Sequence, residues 1–466
     1  MPAESTEERI SAVRRSLEKT RAEICPWFKS RQASDKQGQY VTHLGILKNQ
    51  IDFLLGKVEN QLGDVTTGGG PLSVYSKCRA VEKRLLWVRR LWTYFQTKFD
   101  QRRDPATEAL LKAADEIVWS CYKQPFRKAG VEKSPPHPLP FVSAVYSPYA
   151  IPREEPPPEL RSDVDAEFLT SMLKQMPIPV TGIQSLSLEE PWWLAYLAHE
   201  VGHHVQFDFD GGSLLGAFAQ TLNDAGGNRW VGWSLELFAD VYSLLMIGPW
   251  ALWALAELVW SEPAVMLDDT NSRYPSALVR LMFMREVANQ LQLQGTDALR
   301  GFTAADVLNQ GPVMYKTRDF CDTAKDDLKK VEQVAKLVAA ATYGSFGSLA
   351  VLGDFKKEDF LSGGDAYLWG EMLAGRDNVG SIKALRSARL VLSGGVQAWK
   401  EIREVADSEE RATRRLKLKE DLLATIFVNR EEITRAADRP ETADLDRRNQ
   451  DLADLLMSNQ IPGLGL

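Results

Sequence analysis

Apolar residues recur at helical spacing along most of the chain, whereas runs that alternate like a β-strand are few and short. The N-terminal part shows this pattern first, in ERISAVRRSLEKTRAEI, which starts at Glu8 behind the potential caps Ser5 and Thr6. The short stretch MPIPVTGIQ, residues 176–184, is a candidate strand. The pattern therefore predicts a mainly α, multi-helical fold that carries at most a small sheet.

A proline-rich stretch interrupts the helical pattern at residues 134–158, SPPHPLPFVSAVYSPYAIPREEPPP. Such a stretch cannot be helical and must run extended or in turns, so it predicts a linker or a surface strap. It divides an N-terminal helical region, 1–133, from a central core, 159–300, which is followed by a C-terminal helical region, 301–466. This division agrees with the two or three domains expected for 466 residues.

The most apolar segment is VYSLLMIGPWALWALAELVW, residues 241–260, which approaches the length of a membrane-spanning helix. Gly248 and Pro249 interrupt it in the middle, Glu257 stands near its end, and its flanks are acidic. These features favour a pair of buried core helices, with a membrane span as the alternative.

Composition and charge narrow the classes of partner. The chain is 44% hydrophobic and 26% charged, as in a soluble globular protein, and 56 basic against 63 acidic residues give a net charge of −7. That balance argues against a nucleic-acid partner, which needs a basic surface. The polar start MPAESTEERI is not a secretory signal, and no CxxC pair occurs, so we expect a cytoplasmic protein without disulfides.

Three of the five histidines lie in AHEVGHH, residues 198–204. On a helix, His199 and His203 lie one turn apart on the same face, so both imidazoles can reach one zinc ion. Glu200 is then placed beside the ion, where it can take a proton from a water molecule. Gly202 leaves the helix surface bare where a substrate or a second structural element must approach.

A catalytic zinc ion needs a third protein ligand. Glu236 is the best candidate, because it lies in the apolar helix WSLELFADVYSLLMIG with Asp240 one turn later on the same face. Two buried carboxylates are costly unless a cation or hydrogen-bond donors compensate them. A solvent-facing helix edge is the alternative explanation. Other acidic candidates, in or near a glycine-rich loop, are more simply explained as solvated residues: Asp208, Asp210 and Asp224.

HEVGH followed by ELFAD resembles the HExxH…ExxxD pattern of gluzincin zinc metallopeptidases. It is most similar to the class that contains the HtpX-like and CAAX-prenyl-type proteases, over residues 192–280 only. The resemblance implies a zincin-like catalytic core and a Zn²⁺ cofactor. It also implies roles for five residues: zinc ligands His199, His203 and Glu236, general base Glu200, and Asp240 as the carboxylate that orients a ligand imidazole.

Members of this class often carry a later HPxxxxR segment, and YPSALVR, residues 274–280, is its counterpart here. By this resemblance Tyr274 stands where a histidine steadies the oxyanion, and a tyrosine hydroxyl can also donate to an oxyanion. A core or turn role for Tyr274 is the alternative. Arg280 could anchor the carboxylates or a substrate carboxylate. His204 points about 100° away from His203 around the helix, so we expect it beside the site or on the surface rather than on the metal.

These observations predict a zinc metalloendopeptidase that hydrolyses a peptide or protein substrate. Two alternatives remain open at this point. One is a non-catalytic scaffold or sensor that keeps the zinc-binding helices, and the other is a metal-free helical interaction protein in which AHEVGHH is accidental. The HtpX-like class is usually embedded in membranes, whereas this chain has one candidate segment at most, so membrane-protein substrates do not follow from the resemblance.

Overall fold

The fold is known from a computed structural model, which describes residues 3–34, 39–66, 70–131, 134–151, 171, 175, 178–259, 274–293, 318–344, 347–353, 355–376, 387–429 and 442–458. Within these ranges the chain forms fifteen α-helices and one three-stranded sheet, which confirms the mainly α prediction. The N-terminal elements are α1 (Ala3–Ser34), α2 (Val41–Gly63), α3 (Pro71–Asp100), α4 (Glu108–Lys128), β1 (Leu139–Ser143) and β2 (Tyr149–Ile151). The central elements are β3 (Val180–Gln184), α5 (Leu197–Asp208), α6 (Ser213–Gly226), α7 (Asn228–Gly232), α8 (Ser234–Ile247), α9 (Trp250–Val259) and α10 (Ala277–Gln290). The last helices are α11 (Arg318–Ala340), α12 (Asp365–Leu373), α13 (Ala388–Ile402), α14 (Ser408–Val428) and α15 (Thr442–Met457). Short 3-10 helices occur at Gln101–Arg103, Ser185–Leu188, Pro191–Tyr196, Asp210–Gly212, Leu349–Leu352 and Lys357–Phe360.

The buried side chains form two large clusters. One joins α1, α2 and α3 with the C-terminal helix α15, whose Leu452 and Leu456 are buried with Leu54 and Leu85. The guanidinium of Arg84 donates to the backbone oxygens of Leu456 and Met457 and holds the end of α15 on α3. The second and larger cluster contains buried residues of α4 and of every helix from α5 to α14.

The sheet lies between these clusters, in the order β1–β3–β2. β3 is parallel to β1 and antiparallel to β2, and it contributes Val180 to the first cluster and Ile183 to the second. Part of the predicted strand at 176–184 is therefore present as β3, and residues 176 and 177 lie outside the described part of the chain. The described part of the proline-rich stretch is extended, as its prolines predict, and forms β1 and β2. Pro140 fits β1 because an edge strand tolerates a residue without an N–H donor.

The apolar segment at 241–260 forms the buried pair of core helices, α8 and α9, within the described residues. They separate at Gly248, whose φ of 69° lies in the left-handed region that favours glycine. A side chain there would also collide with the ring of Phe360. Among the described residues, no helix combines the length and the apolar character that crossing a bilayer requires.

Candidate metal centre

The first two candidate ligands lie on α5. A 3-10 turn that starts at Pro191 leads into this helix, because proline suits the first turn, where its missing N–H needs no partner. His199 and His203 are one turn apart on one face of α5, and their Nε2 atoms are 3.2 Å apart. Both line a cleft, whose other walls include Ala150, Glu236 and Arg280. The sequence prediction of a shared helical face therefore agrees with the structure.

The third candidate ligand comes from α8, which packs against α5. Every residue of α8 from Glu236 to Ile247 is buried, so the Glu236 carboxylate is held in the protein interior. It lies in the first turn of α8, where the positive end of the helix dipole favours a negative side chain. The alternative of a solvent-facing helix edge for Glu236 and Asp240 is excluded, since their exposed fractions are 8% and 0%.

The three side chains fit a single metal ion. Glu236 Oε2 is 3.5 Å from His199 Nε2, and Glu236 Oε1 is 3.7 Å from His203 Nε2. A tetrahedral zinc ion with bonds of about 2.0–2.1 Å places neighbouring ligand atoms about 3.3 Å apart. Within the described part of the chain, these three residues form the one group of His, Cys, Asp or Glu side chains whose ligand atoms lie close enough to share an ion.

Asp240 and Arg280 orient the first candidate ligand, His199. His199 Nδ1 is 2.9 Å from Asp240 Oδ1, so an N–H at Nδ1 donates to this carboxylate and leaves Nε2 for the metal. Arg280 from α10 donates to both oxygens of Asp240, with Nε 2.6 Å from Oδ2 and Nη2 2.7 Å from Oδ1. Nη2 also lies 3.2 Å from Glu236 Oε2, so this guanidinium forms one wall of the ligand group.

Gln206 contacts the second candidate ligand, His203, and the sequence prediction missed it. Its Oε1 lies 3.5 Å from His203 Nδ1, at the long end of hydrogen-bond distances. Its amide nitrogen is 2.5 Å from the backbone oxygen of Leu235, the residue before Glu236. Gln206 is fully buried, so one side chain links a ligand of α5 to the ligand-bearing turn of α8. Its position three residues after His203, on the same helix face, is the signal that could have identified it.

Glu200 is buried in the same cleft and belongs to a second contact, with the sheet. Its carboxylate accepts a hydrogen bond from the backbone N–H of Ala150 in β2. Burial raises the pKa of Glu200 to about 7, and the neighbouring negative charge of Glu236 adds to this effect. A carboxylate with a pKa near neutrality can both accept and return a proton at neutral pH.

The cleft holds more buried acidic groups than permanent positive charges. The carboxyl groups of Glu200, Glu236 and Asp240 line it with one guanidinium, that of Arg280. With both imidazoles neutral and all three carboxyl groups ionised, two negative charges would be uncompensated, and unpaired charges in a protein interior cost several kcal/mol each, at the order-of-magnitude level. A divalent cation would restore neutrality in that state.

Without a metal the same cluster binds protons instead. Burial opposes the charged form of His199, but its hydrogen bonds to Asp240 and Glu236 outweigh burial and raise its pKa to about 9. Burial lowers the pKa of His203 to about 4 and keeps that imidazole neutral, as a metal ligand must be. The pKa of Glu236 is lowered to about 2, since the His199 hydrogen bond and the Arg280 charge outweigh burial.

The remaining candidates lie in different places. Tyr274 lines the cleft with 52% of its surface exposed. His204 is buried away from the metal ligands, and its Nε2 lies 3.0 Å from Thr181 Oγ1. The three less favoured acidic residues make other contacts: Asp208 with Tyr122, Asp210 with Ser213 and Asp224 with Gln220. His137 is buried beside His43, far along the chain from the site, and its backbone oxygen contacts His43 Nε2.

Comparison with protein-family models, with curated proteins and with solved structures finds no match to this chain. The site is therefore interpreted from its own distances, burial and charges. On those grounds, His199, His203 and Glu236 form a group that could hold a metal ion.

Proposed function

We propose that this chain is a zinc-dependent metallopeptidase of the gluzincin type. One observation carries the proposal: two imidazoles and a carboxylate converge within 4.8 Å of one another, at a cleft that a buried glutamate also lines. A structural zinc site is closed by four protein ligands, whereas a catalytic site has three and keeps one position open. The group of His199, His203 and Glu236 supplies three.

The donor set disfavours calcium and magnesium and is compatible with zinc. Imidazole nitrogen suits zinc, copper, iron and nickel, whereas calcium and magnesium prefer a shell of oxygen ligands. Two nitrogen donors and one carboxylate match the His₂Glu set of known zinc peptidases. The hydrogen bond from His199 to Asp240 supports this assignment, because a carboxylate behind a ligand imidazole raises its basicity.

The residues of the chain divide the chemistry among them. A bound zinc ion supplies Lewis acidity toward the carbonyl oxygen of the substrate and toward water. Glu200 would accept the proton of the attacking water and return it to the leaving amine, a task that its burial favours because burial raises the pKa of a carboxyl group. Tyr274, at the cleft, would donate its hydroxyl to the oxyanion that develops on the carbonyl.

The strand β2 favours a peptide as the substrate. Within the described residues β2 pairs only with β3, so it is an edge of the sheet, and Tyr149 and Ala150 line the cleft. An extended peptide can add to such an edge through main-chain hydrogen bonds. The cleft is about 210 Å³ in volume. That volume suits a side chain and the attacking water rather than a folded partner.

The test compares zinc content and peptide cleavage in three proteins: the natural chain, Glu200→Gln and the control Glu332→Gln. Glu332 is exposed on α11, outside the cleft. Elemental analysis is expected to find about one zinc ion per chain in all three. Mass spectrometry of a complex peptide mixture is expected to find new termini with the natural chain and the control, and none above background with Glu200→Gln.

Other outcomes would contradict the proposal in distinct ways. Zinc bound without any cleavage would favour the non-catalytic scaffold or sensor. Cleavage undiminished in Glu200→Gln would remove Glu200 as the proton acceptor. A chain that binds no zinc under native conditions would favour the metal-free interaction protein.

A further inference from the structure

His204 is the third histidine of AHEVGHH, but it is not one of the three candidate ligands. It is 2% exposed, and its Nε2 lies 3.0 Å from the hydroxyl of Thr181, which is itself fully buried in β3. A polar contact in such surroundings is costly to break, because either partner left alone loses its solvation without compensation. His204 thus holds the ligand helix α5 to the middle strand of the sheet.

The contact continues through the sheet to the catalytic glutamate. Thr181 lies directly opposite Ala150 in the antiparallel pair of β3 and β2. The backbone N–H of Ala150 donates to the carboxylate of Glu200, on α5 one turn before His204.

A closed path therefore starts and ends on α5: from His204 to Thr181, across the strands to Ala150, and from there to Glu200. We infer that His204 and Thr181 are positioning residues. They fix the distance between the sheet and α5 so that the Ala150 amide holds the Glu200 carboxylate in place. This inference rests on the proposed peptidase function for its kinetic consequence, but its structural consequence does not depend on activity.

The structural test measures amide hydrogen exchange at Ala150 by NMR in the natural chain, Thr181→Val, His204→Leu and the conservative variant His204→Gln. Thr181→Val keeps the branched shape and removes the hydroxyl. The control amide is that of Leu139, which donates to the backbone oxygen of Pro179 at 2.8 Å on the other side of β3. We expect exchange at Ala150 to rise about tenfold or more in Thr181→Val and His204→Leu, with little change at Leu139. His204→Gln, which retains a polar group near the hydroxyl, is expected to restore protection.

The kinetic test uses zinc-loaded protein and any peptide that the natural chain cleaves. Since the path from His204 through Thr181 and Ala150 to Glu200 includes none of the three candidate ligands, zinc affinity is expected to stay within about twofold. The kcat is expected to fall about tenfold or more with little change in KM, because a displaced base slows the chemical step. The double variant is expected to lose no more than either single one, as residues of one path do.

The possible results separate the two proposals. Unchanged exchange at Ala150 in both disrupting variants would overturn the inference. A parallel rise at Ala150 and Leu139 would also overturn it, since that result indicates general destabilisation. An inactive natural chain would refute the proposed function, and the exchange data alone would then decide the role of His204.

Discussion

Gly202 of α5 lies against the backbone of Ala239 in α8, so the two ligand-bearing helices meet at a residue without a side chain. A β-carbon on Gly202 would lie 2.9 Å from Ala239 Cα and 3.2 Å from the β-carbons of Ala239 and Tyr242. Such distances are too short for ordinary packing. The close approach allows the imidazoles of α5 to reach Glu236 across the helix pair.

Replacing Gly202 with alanine is therefore expected to push the ligand helices apart. Overpacking of this kind costs about 1–3 kcal/mol, whereas alanine in a helix regains up to about 1 kcal/mol, so we expect a net loss in the free energy of unfolding. Zinc affinity is expected to fall as well. Denaturant titration and metal competition check both effects. The control is Gly216→Ala on α6, which has nothing within 4 Å of its added β-carbon and should be stabilising. Equal behaviour of the two variants would contradict the role given to Gly202.

Arg280 is expected to be essential for stability before any metal binds. Removing its guanidinium in Arg280→Met leaves the fully buried Asp240 with its hydrogen bond from His199 alone, and breaking a buried ion pair costs about 3–5 kcal/mol. Arg376→Met is the control, because Arg376 is half-exposed where it pairs with Glu371 and Glu401, and exposed pairs contribute about 0–1 kcal/mol. Denaturant unfolding of the metal-free proteins measures the difference. A loss in Arg280→Met no larger than that in Arg376→Met would show that Asp240 is compensated by other groups.

Gln206 is expected to control metal affinity. Gln206→Leu keeps a similar volume but removes the acceptor near His203 Nδ1 and the donor to the Leu235 oxygen. Loss of a group that orients a ligand weakens metal binding about 10–100-fold. Competition with a chelator measures the zinc affinity, and Gln220→Leu on α6, which alters only a contact with Asp224, serves as the control. An unchanged zinc affinity in Gln206→Leu would mean that His203 is oriented without this amide.

Tyr274 is expected to act on the reaction and not on the metal. If its hydroxyl donates to the oxyanion, Tyr274→Phe should lower kcat on the order of 100-fold while the zinc content stays the same. Tyr367→Phe on α12, outside the cleft, is the matched control. Steady-state kinetics beside elemental analysis gives the answer. A kcat equal to that of the control would mean that Tyr274 only lines the cleft, in agreement with its alternative role as a core or turn residue.

Local periodicity alone was enough to predict much of this protein. The spacing of His199 and His203 places them on one helix face, because an α-helix repeats every 3.6 residues. The same rule pairs Glu236 with Asp240, and the proline-rich stretch is extended for an equally local reason. The break at Gly248 and Pro249 separates two buried helices, as the sequence predicts.

Only the tertiary structure brings these local elements together. Glu236 meets the histidines because α5 and α8 pack at Gly202, and no periodicity relates residues so far apart in the chain. The contacts of Gln206 with Leu235, of Glu200 with Ala150 and of His204 with Thr181 each join two separate elements. The charge that the cleft has to compensate is likewise a sum over α5, α8 and α10. Burial and charge at a site depend on which elements fold against one another, and that is decided by packing in three dimensions rather than by spacing along the chain.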